Sequence, residues 1–375
     1  MTVTLRSFAK INLGLRIGAR REDGFHELLT VYQTIGLHDV IRISVERGKG
    51  IEIRCDDPRV PRDESNTCYR IVESAMRALR PRGRVIVEIE KRLPVQGGMG
   101  GASSNAVASL LGLERVLKKS LAAEERLRIA AEVGSDLPLF LVGGTVLGVG
   151  RGEQVYGLED LPATACVVVT PEVGISTAKA FAEWDRRQSA QGLKPGSFEN
   201  LGAALKGRSS TARSSTSRVQ VAAVPTQART GEGARRHASS GAASFAELTM
   251  VESSDRMGEL GRGLSAWLSA GYSGAPRSRR GRAENPLLEL VRAGIKNDFE
   301  SVVFPEYPEL SEGKSALKRV GAKYASLSGS GSTLYGLFAS NEAARVAAIR
   351  LRKQGWAAQA TVTLTRREYW KKIFS

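Results

Sequence analysis

Cysteine is scarce. Cys55, Cys68 and Cys166 are the only three in 375 residues, they lie far apart, and their number is odd. They offer neither a disulfide framework nor a CxxC metal knuckle, and a reducing, cytoplasmic setting is expected. Long apolar runs are missing too: no stretch of about 18 apolar residues occurs, so no membrane-spanning helix is expected. The opening "MTVTLRSFAKINLGL" lacks the uninterrupted apolar core of a secretory signal. Aromatics make up only 6% of the chain, which leaves few rings to stack on nucleic-acid bases. No internal repeat is visible.

What is present is 42% hydrophobic, enough for a sizeable core, and the length favours two domains over one. The formal charge is +16. Such a balance raises the possibility of a nucleic-acid partner. It is concentrated, however, in one segment: Arg186 to Ala283 holds sixteen Lys/Arg against six Asp/Glu. That segment includes "KGRSSTARSSTSRVQVAAVPTQARTGEGARRHASSGAAS", with few large apolar residues and no interleaved rings. Its composition predicts disorder over about 190–240, because too little surface can be buried to offset the ordering entropy. A weakly helical patch is expected at "ELTMVESSDRMGELGRGLSAWLSAG". The stretch has the character of an insertion, and no nucleic-acid partner is expected.

The patterned parts are mixed α and β. "TVTLRSF" and "AKINLGLRI" alternate as two strands, and "DVIRISVERGKGIEI" predicts a hairpin with its turn at Gly-Lys-Gly. "NTCYRIVESAMRAL" has helical spacing. In "RVIVEIEKRL", Val85, Val87 and Ile89 share one strand face. Helices are expected at "NAVASLLGLERVL" and at "AAEERLRIAAEV", the second capped by Gly134. A strand is expected at "GGTVLGVGRG". Beyond the insertion come helices near 286–301 and 310–320, a strand at "YASLSGSGSTLYGLF", a helix at "NEAARVAAIRLRKQG" and a strand at "AAQATVTLT".

"PVQGGMGGASSNA", residues 94–106, lies between a strand and a helix. That order exposes backbone N–H groups at the positive end of a helix dipole, which suits phosphate. Glycines let the backbone approach oxygen atoms that a Cβ would hold off. Ser103 and Ser104 can cap the helix and offer hydroxyls to phosphate or a metal ion. The competing reading is a tight turn with a serine N-cap. A second glycine-rich segment at 326–338 favours the phosphate reading. Other signals fail. G-x-G-x-x-G breaks at Ser103, "GKS" at 313–315 has Pro308 where a Walker loop starts with glycine, and "HELLT" at 26–30 has Thr30 in place of a second zinc-binding histidine. No protein metal site is therefore read from the residues. Lys10 and Asn12 project from one face of an early strand; a lysine there is ordinarily just solvated. Asp136 starts a short apolar helix, where a carboxylate ordinarily adds roughly 0.3–1 kcal/mol of dipole stabilisation.

Together, "FAKINLGLRIGARREDGFHEL", "LPVQGGMGGASSNAVASLLGL", "GSDLPLFLVGGTVLGVGRGE", "LSGSGSTLYGLF" and "KNDFESVVFPEYPEL" resemble the GHMP kinases. The likeness is strongest to the branch acting on 4-diphosphocytidyl-2-C-methyl-D-erythritol in the non-mevalonate isoprenoid route. It covers about 1–185 and 284–375. It implies an α+β fold of two domains, 1–160 and 161–375, the second interrupted at about 186–283, with the active site in the cleft between them. The implied reaction moves the γ-phosphate of ATP, with Mg²⁺, to the 2-hydroxyl of the cytidyl substrate. Lys10 and Asp136 would be catalytic. ATP would lie on Pro94, Val95, Gln96, Gly97, Gly98, Met99, Gly100, Gly101, Ala102, Ser103 and Ser104. Asn12, Phe25, His26, Thr177 and Phe181 would hold the cytidyl substrate. Relatives often carry tyrosine where Phe25 stands, and glycine at the places of Gln96 and Ala102.

Overall fold

Two strands far longer than the usual five or six residues organise the chain. The computed structural model describes residues 1–81, 83–95, 97–190 and 296–374. Gln96, the tract expected to be disordered from 191 to 240, the helical patch that follows it, and the part of the 286–301 helix before 296 lie outside the described residues.

β1 (Thr2–Arg20) is one strand, not the two expected from its pattern. It pairs along its length with β2 (His26–Glu46), and register shifts between Phe8 and Lys10 and between Asn12 and Gly14 absorb the change in alternation. β2 is the spine of a six-stranded sheet ordered β3-β4-β2-β5-β6, with β1 on β2 as well. The expected 39–53 hairpin does not form. β4 (Arg84–Glu90) inserts between its two arms, antiparallel to β2 and parallel to β3 (Ile51–Cys55). Val85, Val87 and Ile89 explain why: each is buried, and a strand so apolar belongs in the interior of a sheet rather than at its edge. β5 (Thr145–Val149) and β6 (Gln154–Gly157) complete the sheet.

One face of this sheet carries α1 (Thr67–Leu79), α2 (Gly101–Leu117), α3 (Ala123–Val133) and α4 (Leu137–Val142). Asn66 caps α1, its side chain accepting from the Cys68 N–H. Gly134 sits at the C-cap of α3 as expected, with extended rather than left-handed backbone.

The second sheet is four-stranded and wholly antiparallel, ordered β10-β7-β9-β8. It comprises β7 (Ala165–Val169), β8 (Tyr324–Leu327), β9 (Leu334–Phe338) and β10 (Ala358–Val362). The single strand expected over 324–338 is thus a hairpin, β8 and β9 joined by the glycine-serine loop. Period two divides its central strands cleanly. Ala165, Val167 and Val169 face the helices, while Cys166 and Val168 face the first sheet. The helices on its outer side are α5 (Thr177–Ala190), α6 (Glu300–Glu306), α7 (Pro308–Arg319) and α8 (Asn341–Lys353). α5 continues past the compositional boundary at 186, to Ala190. Residues 296–299 form a bridge and a turn, so the helix expected from 286 begins, within the described residues, at Glu300.

A third apolar cluster, with Ile11, Val31, Leu93, Met99, Leu147, Val168 and Tyr335, lies where the two sheets meet. β1 contributes to all three cores in turn: Leu5 and Phe8, then Ile11 and Leu13, then Leu15 and Ile17. The chain finally crosses back. α9 (Arg366–Ile373), closed by a Thr365–Glu368 capping box, packs Tyr369 and Ile373 into the first core. Tyr369 Oη donates to the Phe140 carbonyl at 2.7 Å, and Trp370 Nε1 to that of Val142 at 3.0 Å.

Candidate active site

Lys10 and Asn12 lie two residues apart on β1, so their side chains share a face, and Ile11 between them is buried on the other. Lys10 Nζ donates to Asn12 Oδ1 at 2.7 Å and stands 3.4 Å from Asp136 Oδ2. Asn12 is held in turn by donating from Nδ2 to Thr30 Oγ1 at 2.8 Å. The side chain of Lys10 is only 4% exposed, whereas that of Asp136 is 34% exposed. The ammonium is the floor of the site, and the carboxylate is the group a second reactant can reach. Asp136 precedes α4 without capping it; its carboxylate turns to Lys10 and to Tyr32 Oη, which donates at 3.1 Å. The dipole reading of Asp136 therefore gives way to side-chain contacts.

Tyr32 is a site residue that the sequence reading missed. It sits directly opposite Asn12 in the β1–β2 ladder, hence on the same face. The Lys10 ammonium lies 5.5 Å from its ring centroid. Burial, reinforced by the Asp136 charge, pushes the Tyr32 phenol well above its ordinary pKa, so it remains a hydrogen-bond donor.

The glycine loop meets this cluster at β1. The Lys10 N–H donates to the Met99 carbonyl at 3.0 Å. Gly100, with φ +67°, is the N-cap of α2, and a Cβ there would fall 2.9 Å from the Phe140 ring and 3.1 Å from Lys10 Cγ. The expected serine cap does not occur. Helix α2 begins at Gly101, which places Ser103 and Ser104 inside its first turn, and glycine at the N-cap offers no side chain to the leading N–H groups. Those donors remain for another acceptor. Ser104 is buried, Ser103 partly so, Ala102 exposed, and Pro94 and Val95 half-buried.

The second glycine-rich loop, between β8 and β9, packs against the first. The Thr333 N–H donates to the Gly97 carbonyl at 3.1 Å, and Ser328 Oγ to that of Gly98 at 3.1 Å. A Cβ on Gly98, φ +79°, would come within 2.4 Å of the Ser328 carbonyl oxygen. Glycine at this point thus serves loop-on-loop contact as well as any ligand. Asn297 secures the second loop, donating from Nδ2 to the carbonyls of Leu327 and Gly329 at 2.9 and 2.8 Å.

The remaining candidates form an adjoining group. Thr177 and Phe181 are one turn apart on α5. Thr177 Oγ1 lies 2.8 Å from Ser330 Oγ of the second loop, and Phe181 stacks on His26 with ring centroids 4.9 Å apart. His26 Nε2 is 2.7 Å from Asp185 Oδ1. An ionised carboxylate can only accept, which assigns the proton to Nε2. Nδ1 has no partner among the described residues. Phe25 is more than half exposed, with the Arg151 guanidinium 5.0 Å from its ring centroid. The structure thus brings Lys10, Asn12, Asp136 and both glycine loops together, with Thr177 beside them, and sets His26 and Phe181 in a second group along α5. The rejected motifs fall in unsuitable places: "HELLT" is strand, and "GKS" lies within α7. No cluster of three or more His, Cys, Asp or Glu suited to a metal ion occurs among the described residues.

The family models described as GHMP kinases N terminal domain and GHMP kinases C terminal match residues 66–144 and 283–355. A 4-diphosphocytidyl-2-C-methyl-D-erythritol kinase of Solibacter usitatus is 33% identical over 90% of this chain and 82% of its own length. One from Geobacter sulfurreducens is 30% identical over 96% and 99%. Another, from Caldanaerobacter subterraneus subsp. tengcongensis, is 38% identical over 49% of this chain and 63% of its own length. Among solved structures, a 4-(cytidine 5'-diphospho)-2C-methyl-D-erythritol kinase superposes with a TM-score of 0.61 at 24% identity, covering 96% of this chain and 98% of the other. The homoserine kinase of Cytophaga hutchinsonii gives 0.59 at 17%, covering 97% and 95%. At these identities the superpositions speak for the fold. The near full-length likeness to the first two relatives carries the assignment further: the chain belongs to the 4-diphosphocytidyl-2-C-methyl-D-erythritol kinase family of the GHMP kinases.

Proposed function

We propose that this chain transfers the γ-phosphoryl group of ATP to the 2-hydroxyl of 4-diphosphocytidyl-2-C-methyl-D-erythritol, as a small-molecule kinase of the non-mevalonate isoprenoid route. The observation that carries the reading is the Lys10–Asp136 pair, 3.4 Å apart, beside a glycine loop that leads into a helix without a side-chain cap. Phosphoryl transfer asks the protein mainly for positioning and for stabilisation of spreading negative charge. The hydroxyl oxygen forms the new bond to phosphorus as the bond to the ADP oxygen breaks, and Asp136 takes the hydroxyl proton. Lys10, fixed by Asn12 and shielded from water, stabilises the charge that develops. Tyr32 holds the Asp136 carboxylate in place. The N–H groups at the start of α2 receive the phosphates.

The donor set does not make a resident metal site, but Asp136 and the hydroxyls of Ser103 and Ser104 are oxygen donors of the kind Mg²⁺ accepts when it arrives on a nucleotide. Held by these oxygens, Mg²⁺ would supply neutralisation of the phosphate charge. The cytidyl end falls to His26, Phe25, Phe181 and Thr177. His26 Nδ1, an acceptor when Nε2 carries the proton, matches the exocyclic amine of cytosine. On this reading the domains divide near residue 160, and the setting is cytoplasmic, in keeping with three buried free thiols.

The test is ATP turnover with the cytidyl substrate, homoserine and mevalonate, using wild type and Asp136→Asn. Turnover is expected only with the cytidyl substrate and only in wild type. Equal rates with mevalonate or homoserine would overturn the substrate, and an active Asp136→Asn would overturn the mechanism.

A further inference from the structure

Asp39, midway along β2, has a side chain wholly removed from water. Such a carboxylate persists only if its oxygens are fully partnered. Oδ1 accepts from the backbone N–H groups of Arg92 and Leu93, both at 2.7 Å. Oδ2 accepts from Lys91 Nζ at 2.6 Å and from Asn105 Nδ2 at 2.9 Å. Three of these donors belong to the residues immediately before Pro94, and the fourth to the residue immediately after Ser104. One carboxylate therefore grips both ends of the glycine loop.

The grip continues into the loop. With Nδ2 turned to Asp39, Asn105 presents Oδ1 to Ser7, whose hydroxyl donates at 2.6 Å. Ser7 Oγ lies 2.8 Å from Ser104 Oγ, so the network returns to the last residue of the loop. Lys91 Nζ also lies close to Gly101, at the positive end of α2, where an unpaired ammonium would be repelled; Asp39 neutralises it.

We infer that Asp39 is a positioning residue for the nucleotide loop, fixing the span and the depth of residues 94–104 through Lys91, Asn105 and Ser7. This rests on the reading of that loop as the ATP site. Asp39 makes no hydrogen bond or ion pair with Lys10, Asp136 or His26 among the described residues, so its influence should fall on the nucleotide alone.

The experiment compares Asp39→Asn with wild type in the full chain. It measures direct binding of Mg²⁺–ATP, the KM for ATP and the KM for the cytidyl substrate. Asparagine keeps the shape but cannot accept from all four donors. A misplaced loop is expected to raise the KM for ATP about tenfold or more, with the cytidyl KM within about twofold. Ser7→Ala, which cuts the network at a neutral link, should shift the ATP KM in the same direction by about threefold, and it decides the matter if Asp39→Asn does not fold. An unchanged ATP KM, or equal rises in both KM values, would make Asp39 a brace of the core and overturn the inference. Wild type that fails to bind Mg²⁺–ATP would instead remove the nucleotide reading, and the inference with it.

Discussion

At the scale of single residues, the site divides labour between a buried cation and an accessible carboxylate. Asp136→Asn should fold, still bind ATP and lose about 10²- to 10⁴-fold in kcat, the usual worth of a positioned base. Steady-state rates beside an ATP titration check this, and activity within a few-fold of wild type would return Asp136 to a structural role. Tyr32→Phe removes only the hydrogen bond to the carboxylate. The expected loss in kcat is about ten- to hundredfold, in line with hydrogen bonds to charged groups at about 1.5–3 kcal/mol. A KM change with no kcat change would place Tyr32 in substrate binding instead. His26→Ala should raise the KM for the cytidyl substrate by about tenfold and leave that for ATP alone; parallel rises in both would mean that the Phe181–His26 stack supports the fold.

At the scale of elements, the two glycine loops act as one construction. Gly98→Ala would force a Cβ against the Ser328 carbonyl at a positive φ, so both loops must shift. The variant should lose ATP affinity and melt several degrees lower, as calorimetry and nucleotide titration would register. Local pattern made the first loop, the shared face of Lys10 and Asn12, and the helix start at Asp136 legible in the sequence, because each depends on neighbours in the chain. Pairing is not local. The insertion of β4 between β2 and β3 depends on which strand is apolar enough for the interior, and a tight Gly-Lys-Gly turn gives no hint of it. Tyr32 stayed hidden for the same reason: its place opposite Asn12 follows from a register set by bulges in β1. The serine cap was misplaced because a glycine with positive φ can begin a helix where propensity favours the hydroxyl one turn later.

At the scale of the whole molecule, several buried acids oppose alkaline conditions. Burial pushes the Cys68 thiol from 9.0 up to about 12 and the Tyr324 phenol from 10.0 up to about 12. Tyr32 and Tyr335 are also raised well above 10.0, mainly by burial. The fold retains protons that the unfolded chain sheds, so stability is intact below about pH 9 and falls as pH rises toward about 12. Each group contributes up to about 1.4 kcal/mol per pH unit in its window. Melts from pH 8 to 11 should show this decline, with a shallower onset for Cys68→Ala; a flat profile would contradict the burial of these groups. The residues proposed for the site all lie outside the basic tract in sequence. Replacing 191–283 with a short Gly/Ser linker should leave kcat within about threefold, since loop length costs little in closure entropy. A shortened chain that folds but is inactive at every salt concentration would show that the tract completes the site.

Helix α9 also bears on how the protein is made. Tyr369 and Ile373 complete the first core, with Tyr369 bonded to Phe140 and Trp370 to Val142. Tyr369 lies 229 residues after Phe140, a stretch a ribosome adds in about 10 to 45 seconds. Throughout that interval the nascent chain carries the first glycine loop and Asp136 on an unfinished hydrophobic face. A message truncated shortly before residue 366 would release a product with Lys10, Asp136 and both glycine loops but no lasting shelter for them, a substrate for chaperones and proteases.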